Sequence, residues 1–425
     1  MPNQIRELSD QLDGQANDPF RSSDKSTQKV NRADQPTVLM AAIAAATIGA
    51  LMYNMLPIYL GSIEASKSLV SSQTGLIGTA FFLGFNVAGI SAFAWIRRFN
   101  WRTVSLASLP VLLLSLFLCV WLSAFPALLV GTVVCGVAFG INYTIGSVIV
   151  GDSSRPERWY GFKVAFESLA GAVLILLLPL TAAGQFGFAG TAAAMAVCIA
   201  VLLPLLLFLP ATWEKSSSAD MPNVSDKLGA DRHAVVDRTA ITSATLSLLM
   251  LFASLSAMWA FAERMGSIAG FDQTSVDTLL AITLISGISG SVLIAALGDS
   301  VNTVKAYTIA VVLVVIALIC LSINSNFLLY AVGNCLYMFA WAAGTPLAMA
   351  EISRLDLDGR YVALVAPAIG IGGMIGPGIA GWLLQIASVT AVFVYVASTA
   401  VASGILMLMA ARLSKMHKPA TLDVL

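Results

Sequence analysis

ATWEKSSSADMPNVSDKLGADRHAVVDR, Ala211–Arg238, is the one long polar break in the interior of the chain. It concentrates Ser, Asp, Lys and Arg and has no sustained apolar period. Such a composition cannot bury a core and reads as a solvated linker. The sequence on either side is dominantly apolar: residues 37–210 before it and 239–412 after it, two stretches of equal length. Residues 1–36 are polar, lack the early apolar run of a signal peptide, and are expected to form a disordered cytoplasmic tail. Residues 413–425 form a second short polar tail.

Of the residues, 58% are hydrophobic and 11% charged, against roughly 25% charged in soluble domains. The solvent that suits so much apolar surface is a bilayer, where each crossing helix needs about 20 mostly apolar residues. Net charge is zero, so nothing in the charge balance points to nucleic acid. Cys119, Cys135, Cys198, Cys320 and Cys335 stand singly in apolar runs, and His233 and His417 stand in polar ones. Neither a disulfide frame nor a metal site is expected, and no cofactor. No GxxxxGK[ST] stretch occurs, which argues against ATP-driven work by this chain.

Within the two apolar stretches, candidate spans fall at 37–61, 72–96, 103–124, 127–150, 159–181 and 187–210, then at 239–262, 276–298, 304–323, 327–350, 361–384 and 389–411. The runs are continuous rather than alternating, so they read as helices and not as strands of a barrel. With the N-terminus inside, 21 of the 23 Lys and Arg residues fall on the cytoplasmic side, all but Lys67 and Arg264. Basic residues favour that side, and an odd number of spans in either half would scramble the pattern. A shift of 202 residues lays the loop 96–103 on 298–305, Asn100 on Asn302, Arg158 on Arg360, Gly131 on Gly333 and Gly171 on Gly373. One offset matching several loop features indicates a parallel repeat, an arrangement frequent in transporters.

Twelve spans in two halves around a long linker resemble the major facilitator superfamily over residues 37–412. The most specific match is Asp358-Gly359-Arg360 leading into the Gly-rich centre Gly370–Gly381, which includes Gly372, Gly376 and Pro377. Ala295–Asn302, with Asp299, is similar to that family's loop after span 8. The sequence departs from the family pattern in several places, with Ala295 and Asn302 where that loop usually has glycine and Ser300 where it has a basic residue. Arg97 stands at the acidic position of the first loop, Thr132 at a frequent span-4 arginine, and span 5 lacks the Gly-Pro antiporter motif. The resemblance implies an all-α membrane protein of twelve transmembrane helices in two pseudo-symmetric six-helix bundles, with spans 1, 4, 7 and 10 around a central cavity.

On that arrangement Tyr53 and Asn54, Asn142 and Tyr143, Trp259 and Glu263, and Asn334, Tyr337 and Trp341 are candidates for a wall that takes a small organic solute. Each amide has a second reading as an interhelical hydrogen bond. Phe252, Ser256, Trp259 and Glu263 fall on one face of a continuous helix. Lys163 and Glu167 are spaced i, i+4 on span 5, with Glu167 about 13 Å along the helix from Arg158. They read either as a neutral brace or, through Glu167, as the proton-titrating group; Glu263 is the other coupling candidate. Arg97 and Arg98 are expected to lock against Asp356 and Asp358, a charge-swapped form of the family's gate, with Asp299 facing the start of span 5. Gly372, Gly376 and Pro377 would give span 11 a smooth face for packing and sliding.

The function expected is secondary transport of a small organic solute by alternating access, coupled to a proton, by a monomer in the plasma membrane. The alternatives are an efflux antiporter of the same fold and a non-transporting membrane sensor. No enzyme is expected, since the one close acidic pair in a loop, Asp356 and Asp358, suits a helix cap.

Overall fold

Helices dominate the computed structural model, which describes residues 34–153, 156–178, 185–211, 238–297, 301–323, 326–355 and 365–416. Twelve helices among them are long and apolar enough to cross a membrane. Most of the tails and the linker, together with Asp299, Asp356, Asp358, Gly359 and Arg360, lie outside the described residues.

Spans 2, 3, 4 and 6 are Ser71–Trp95, Trp101–Trp121, Phe125–Gly151 and Gly187–Leu206. Spans 8, 9, 10 and 12 are Gln273–Leu297, Thr303–Ser322, Phe327–Leu355 and Val389–Met416. The shift of 202 residues carries the start of each helix in the first set onto the start of its counterpart. The same offset explains the matching loop asparagines. Asn100 caps span 3 by accepting from the Thr103 amide, and Asn302 caps span 9 by accepting from the Lys305 amide. A side-chain oxygen at that position satisfies one of the orphan donors of a helix start. Gly131 packs on Cys119 and Gly333 on Leu321, again one offset apart.

Spans 1 and 7 differ from the expected single helices. Span 1 is two pieces, Pro36–Asn54 and Leu56–Lys67, and span 7 is Arg238–Ala260 followed by Ala262–Ile268. Pro57 accounts for the first break: it has no amide hydrogen to give the Tyr53 carbonyl one turn earlier. Phe261, with φ −116° and ψ 13°, is the second break. The two outer pieces pack on each other at the end of the molecule away from the chain termini, here called the far end.

Across the halves, span 2 packs on span 11 (Val365–Ile386) and span 5 (Pro156–Leu177) on span 8. The two seams are twins. Gly171 of span 5 meets Leu284 of span 8, and 202 residues on, Gly373 of span 11 meets Phe82 of span 2. Lipid offers no hydrophobic drive for helix pairing, so such seams depend on close backbone approach. Gly75 and Gly78 supply it against Pro377, and Gly381 against the Ser71 carbonyl.

Candidate functional site

At mid-depth the seams bring together side chains from both halves. Tyr53 stacks edge-on against Phe82 at 5.9 Å, and Phe85 lies 5.1 Å from Tyr143. In the second half, Phe252 and Trp341 stack at 5.2 Å. Tyr53 also lies within electrostatic range of Tyr143, Tyr337 and Glu167. Tyr53, Tyr143 and Trp341 are each half-buried. For Tyr143 the exposed part faces inward, because its neighbours are Gly49, Phe85 and Lys163 on spans 1, 2 and 5. The Trp341 indole nitrogen and the Asn86 side-chain nitrogen are buried without a hydrogen-bond partner.

Beside this aromatic wall sits an ion pair. Lys163 Nζ is 2.8 Å from Glu167 Oε1, with the two side chains 2% and 8% exposed. The same ammonium stands 3.9 Å above the Tyr143 ring, where the negative face of the ring attracts it. A single charge at the centre of a bilayer costs about 3 kcal/mol on insertion scales, so each partner is what makes the other tolerable. The Asn54 amide donates to the Glu167 carbonyl at 2.9 Å, and Gly171 lets span 1 come this close.

Several sequence-derived candidates face elsewhere. Asn142 does not line the centre: its amide nitrogen donates to Ser108 and the Ala138 carbonyl, and its oxygen accepts from Ser105. Asn334 donates to the Tyr330 carbonyl of its own helix, and Tyr337 shares a hydrogen with Ser254 of span 7. A buried amide takes the nearest partner because leaving it unmet is costly, and here that partner was a neighbouring serine or backbone. What remains at the centre is the aromatic part of the expected group, joined by Phe82, Phe85 and Asn86. The run Phe81-Phe82-Leu83-Gly84-Phe85-Asn86 was the signal for these span-2 residues.

The face drawn through Phe252, Ser256, Trp259 and Glu263 is divided by the break at Phe261. Ser256 donates to the Gly372 carbonyl, while Gly372 and Gly376 sit tightly on span 7. Trp259 donates from its indole to the Tyr53 carbonyl at 3.0 Å. That is the carbonyl Pro57 cannot serve, so the proline of one half creates the acceptor for the tryptophan of the other. Glu263 lies beyond the break, at the far end. Its Oε1 accepts from Gln273 at 2.7 Å, and its Oε2 is buried against Gly61 with no donor. Burial, and then Asp277 nearby, push this carboxyl up to about 8. Glu64 meets Arg264 at 2.5 Å beside it. Ser72 with Gln385 and Thr79 with the Met374 carbonyl add further polar ties between the halves on this side.

At the opposite end, Arg97 makes a two-pronged pair with Asp152 at 2.7 and 2.9 Å, within its own half. Both terminal nitrogens of Arg97 are engaged by the carboxylate at the end of span 4. Arg98 is exposed beside it. The acidic residues of the expected lock lie outside the described residues. Arg354 is held in the second half by buried Glu351 at 2.6 and 3.0 Å.

No family model matches the sequence, and no curated protein matches it. Solved structures do. A D-xylose-proton symporter superposes with a TM-score of 0.67 at 14% identity, covering 91% of this chain and 99% of that one. The nucleoside transporter NupG gives 0.62 at 12%, covering 91% and 100%. A structure solved for substrate recognition in proton dependent oligopeptide transporters gives 0.68 at 14%, covering 90% and 98%. The chain therefore has the major facilitator superfamily fold and is an integral, multi-pass membrane protein.

Proposed function

We propose that this protein is a secondary active transporter that moves a small organic solute by alternating access, with a proton as coupling ion. The observation that carries this reading is the buried Lys163–Glu167 pair on span 5, the helix that packs across the halves on span 8, beside the half-buried rings of Tyr143 and Tyr53. A neutral pair of opposite charges at a moving interface can exchange a proton as its surroundings open and close. Glu263, whose Oε2 is buried without a donor, sits at the far end among contacts that hold the halves together, a position suited to gating.

The cross-half ties from Trp259, Arg264, Gln385 and Met374 support a molecule closed on its far side. With the linker and both termini on the cytoplasmic side, as the basic residues favour, the closed end is the outer one. The glycine contacts of span 11 with spans 2 and 7 supply smooth surfaces for rocking. The solved structures of like fold are of a D-xylose-proton symporter and a nucleoside transporter, among others, which supports transport of a small solute here. The protein is read as a monomer of the plasma membrane.

Reconstituted protein, offered radiolabelled solutes with and without an imposed proton gradient, tests the reading. Accumulation that collapses with the gradient is expected. Accumulation unchanged after the gradient is dissipated rejects proton coupling, and no flux of any solute rejects transport.

A further inference from the structure

Lys163 is, among the described residues, the one basic side chain at mid-depth, and it has a single anion. Its side chain is 2% exposed, with the ammonium bound to Glu167 at 2.8 Å and roofed by the Tyr143 ring at 3.9 Å. Tyr143 is itself half-buried, as are Tyr53 and Trp341. An ammonium in this setting requires one negative partner at all times. It has no use for two, because a second anion would be left without compensation.

We propose that the solute is an organic monoanion, a carboxylate on an aromatic or apolar body, whose negative group replaces Glu167 on Lys163 while Glu167 takes up a proton. This rests on the transport reading above and names its substrate class. Charge balances throughout. The empty site holds Lys163 ammonium and Glu167 carboxylate, which sum to zero. The loaded site holds Lys163 ammonium, the bound carboxylate and a neutral Glu167 carboxyl, which also sum to zero. Both forms of the carrier cross electrically silent, with one proton moving per anion.

The groups facing Glu167 agree with one exchange of this kind. Lys163 comes from its own helix, with the Tyr160 ring on the far side of that ammonium at 6.0 Å, while Tyr143 comes from span 4 and Tyr53 from span 1. Span 8 meets the next turn of the helix with apolar Leu284. Lys163 is thus the only cation in the group, so a phosphate ester or a dicarboxylate would carry one charge too many. The aromatic pairs Tyr53–Phe82, Phe85–Tyr143 and Phe252–Trp341 offer the surface for a ring or alkyl body.

The test uses full-length purified protein in lightly buffered detergent near neutral pH, with a pH-indicator dye and a melting readout. Benzoate, phenylacetate and cinnamate are added beside their primary amides. Acids are expected to raise the melting temperature and withdraw about one proton each from solution, their affinity falling about tenfold per pH unit above the titration. The amides do neither. E167Q binds the acids with no proton uptake, and K163Q loses the acid effect.

Acids that bind without taking up a proton, amides that match acids in the unaltered protein, or an acid effect that survives in K163Q overturn the inference. Should K163Q fail to fold, the proton count of the unaltered protein and E167Q still decide it. If the acids are inert while neutral sugars or nucleosides stabilise the protein and cross the membrane, the anion inference falls and the transport reading stands. If no solute of any class binds or crosses, both fall.

Discussion

Replacing Trp259 by Phe keeps an aromatic ring, smaller than the indole, at this buried position and removes one donor. The lost hydrogen bond is the 3.0 Å link to the Tyr53 carbonyl. That carbonyl is unusually dependent on it, because Pro57 stands where the helix would otherwise provide an amide. Losing the partner of a buried acceptor costs about 1–3 kcal/mol, against about 1 kcal/mol for an ordinary exchanged bond. The bond spans the two halves, so on the proposed rocking it is made only while they are closed at the far end, and the whole cost falls on that state. The closed population relative to the open one should drop by roughly 5- to 150-fold.

Spin labels at Ala65 and Ile268, exposed on the two far-end helices, would report this as a longer distance component. Pro57→Ala supplies the missing amide, so in the double variant the Tyr53 carbonyl regains a donor and the effect of Trp259→Phe shrinks. If Trp259→Phe leaves the distances unchanged, or costs as much in the Pro57→Ala background as with the proline in place, the reasoning about this contact is wrong.

Gly376→Ala should lower the melting temperature, because a β-carbon there lies 2.6 Å from the Ala257 nitrogen and 2.7 Å from the Ala253 oxygen, an overpacking worth about 1–3 kcal/mol; Gly161→Ala, which meets nothing within 4 Å, should not. Arg264→Ala should destabilise more than Glu64→Gln, since it strands a carboxylate that is 8% exposed whereas the reverse frees an arginine 44% exposed; equal thermal shifts would count against the pair. Glu263, on the short far-end helix that follows the crossing helix Arg238–Ala260, is pushed up to about 8 by burial first and Asp277 next. The folded protein therefore holds its proton where an unfolded glutamate, near 4.3, has released it. The stability this gives is complete below about pH 4, declines as pH rises, and is lost by the time pH passes about 8. Melting curves across that window should show the decline in the unaltered protein and a flatter profile in Glu263→Gln. Asn142→Ala should cost about 1 kcal/mol by leaving Ser105 and Ser108 without their shared partner, read as a lower melting temperature.

Hydropathy was enough to place the spans, because a chain in lipid has little choice but apolar helices of crossing length. The repeat was equally legible: Asn100 and Asn302 matched in sequence since both cap a helix with the same geometry. The breaks in spans 1 and 7 were not. Pro57 marked the first, but Phe261 carries no local signal, and the face drawn through Glu263 was lost with it. Asparagine orientation was hidden as well, since Asn142 found its partners on span 3, and a single sequence does not reveal which neighbour rotates into reach. The partner of Arg97 was readable but missed. The shift of 202 that carries Arg97 onto Asp299 also carries Asp152 onto Arg354, so the same two positions hold opposite charges with the signs exchanged between halves.

The central claim is that two twinned bundles rock about a mid-depth site. Cysteines at Ser72 and Gln385, which touch across the halves at the far end, test it when cross-linked in reconstituted vesicles and assayed for flux of any solute that stabilises the protein. Rocking predicts that the cross-linked protein still binds solute but does not move it, and that reduction restores flux. Flux at the uncross-linked rate with the bridge in place would contradict it.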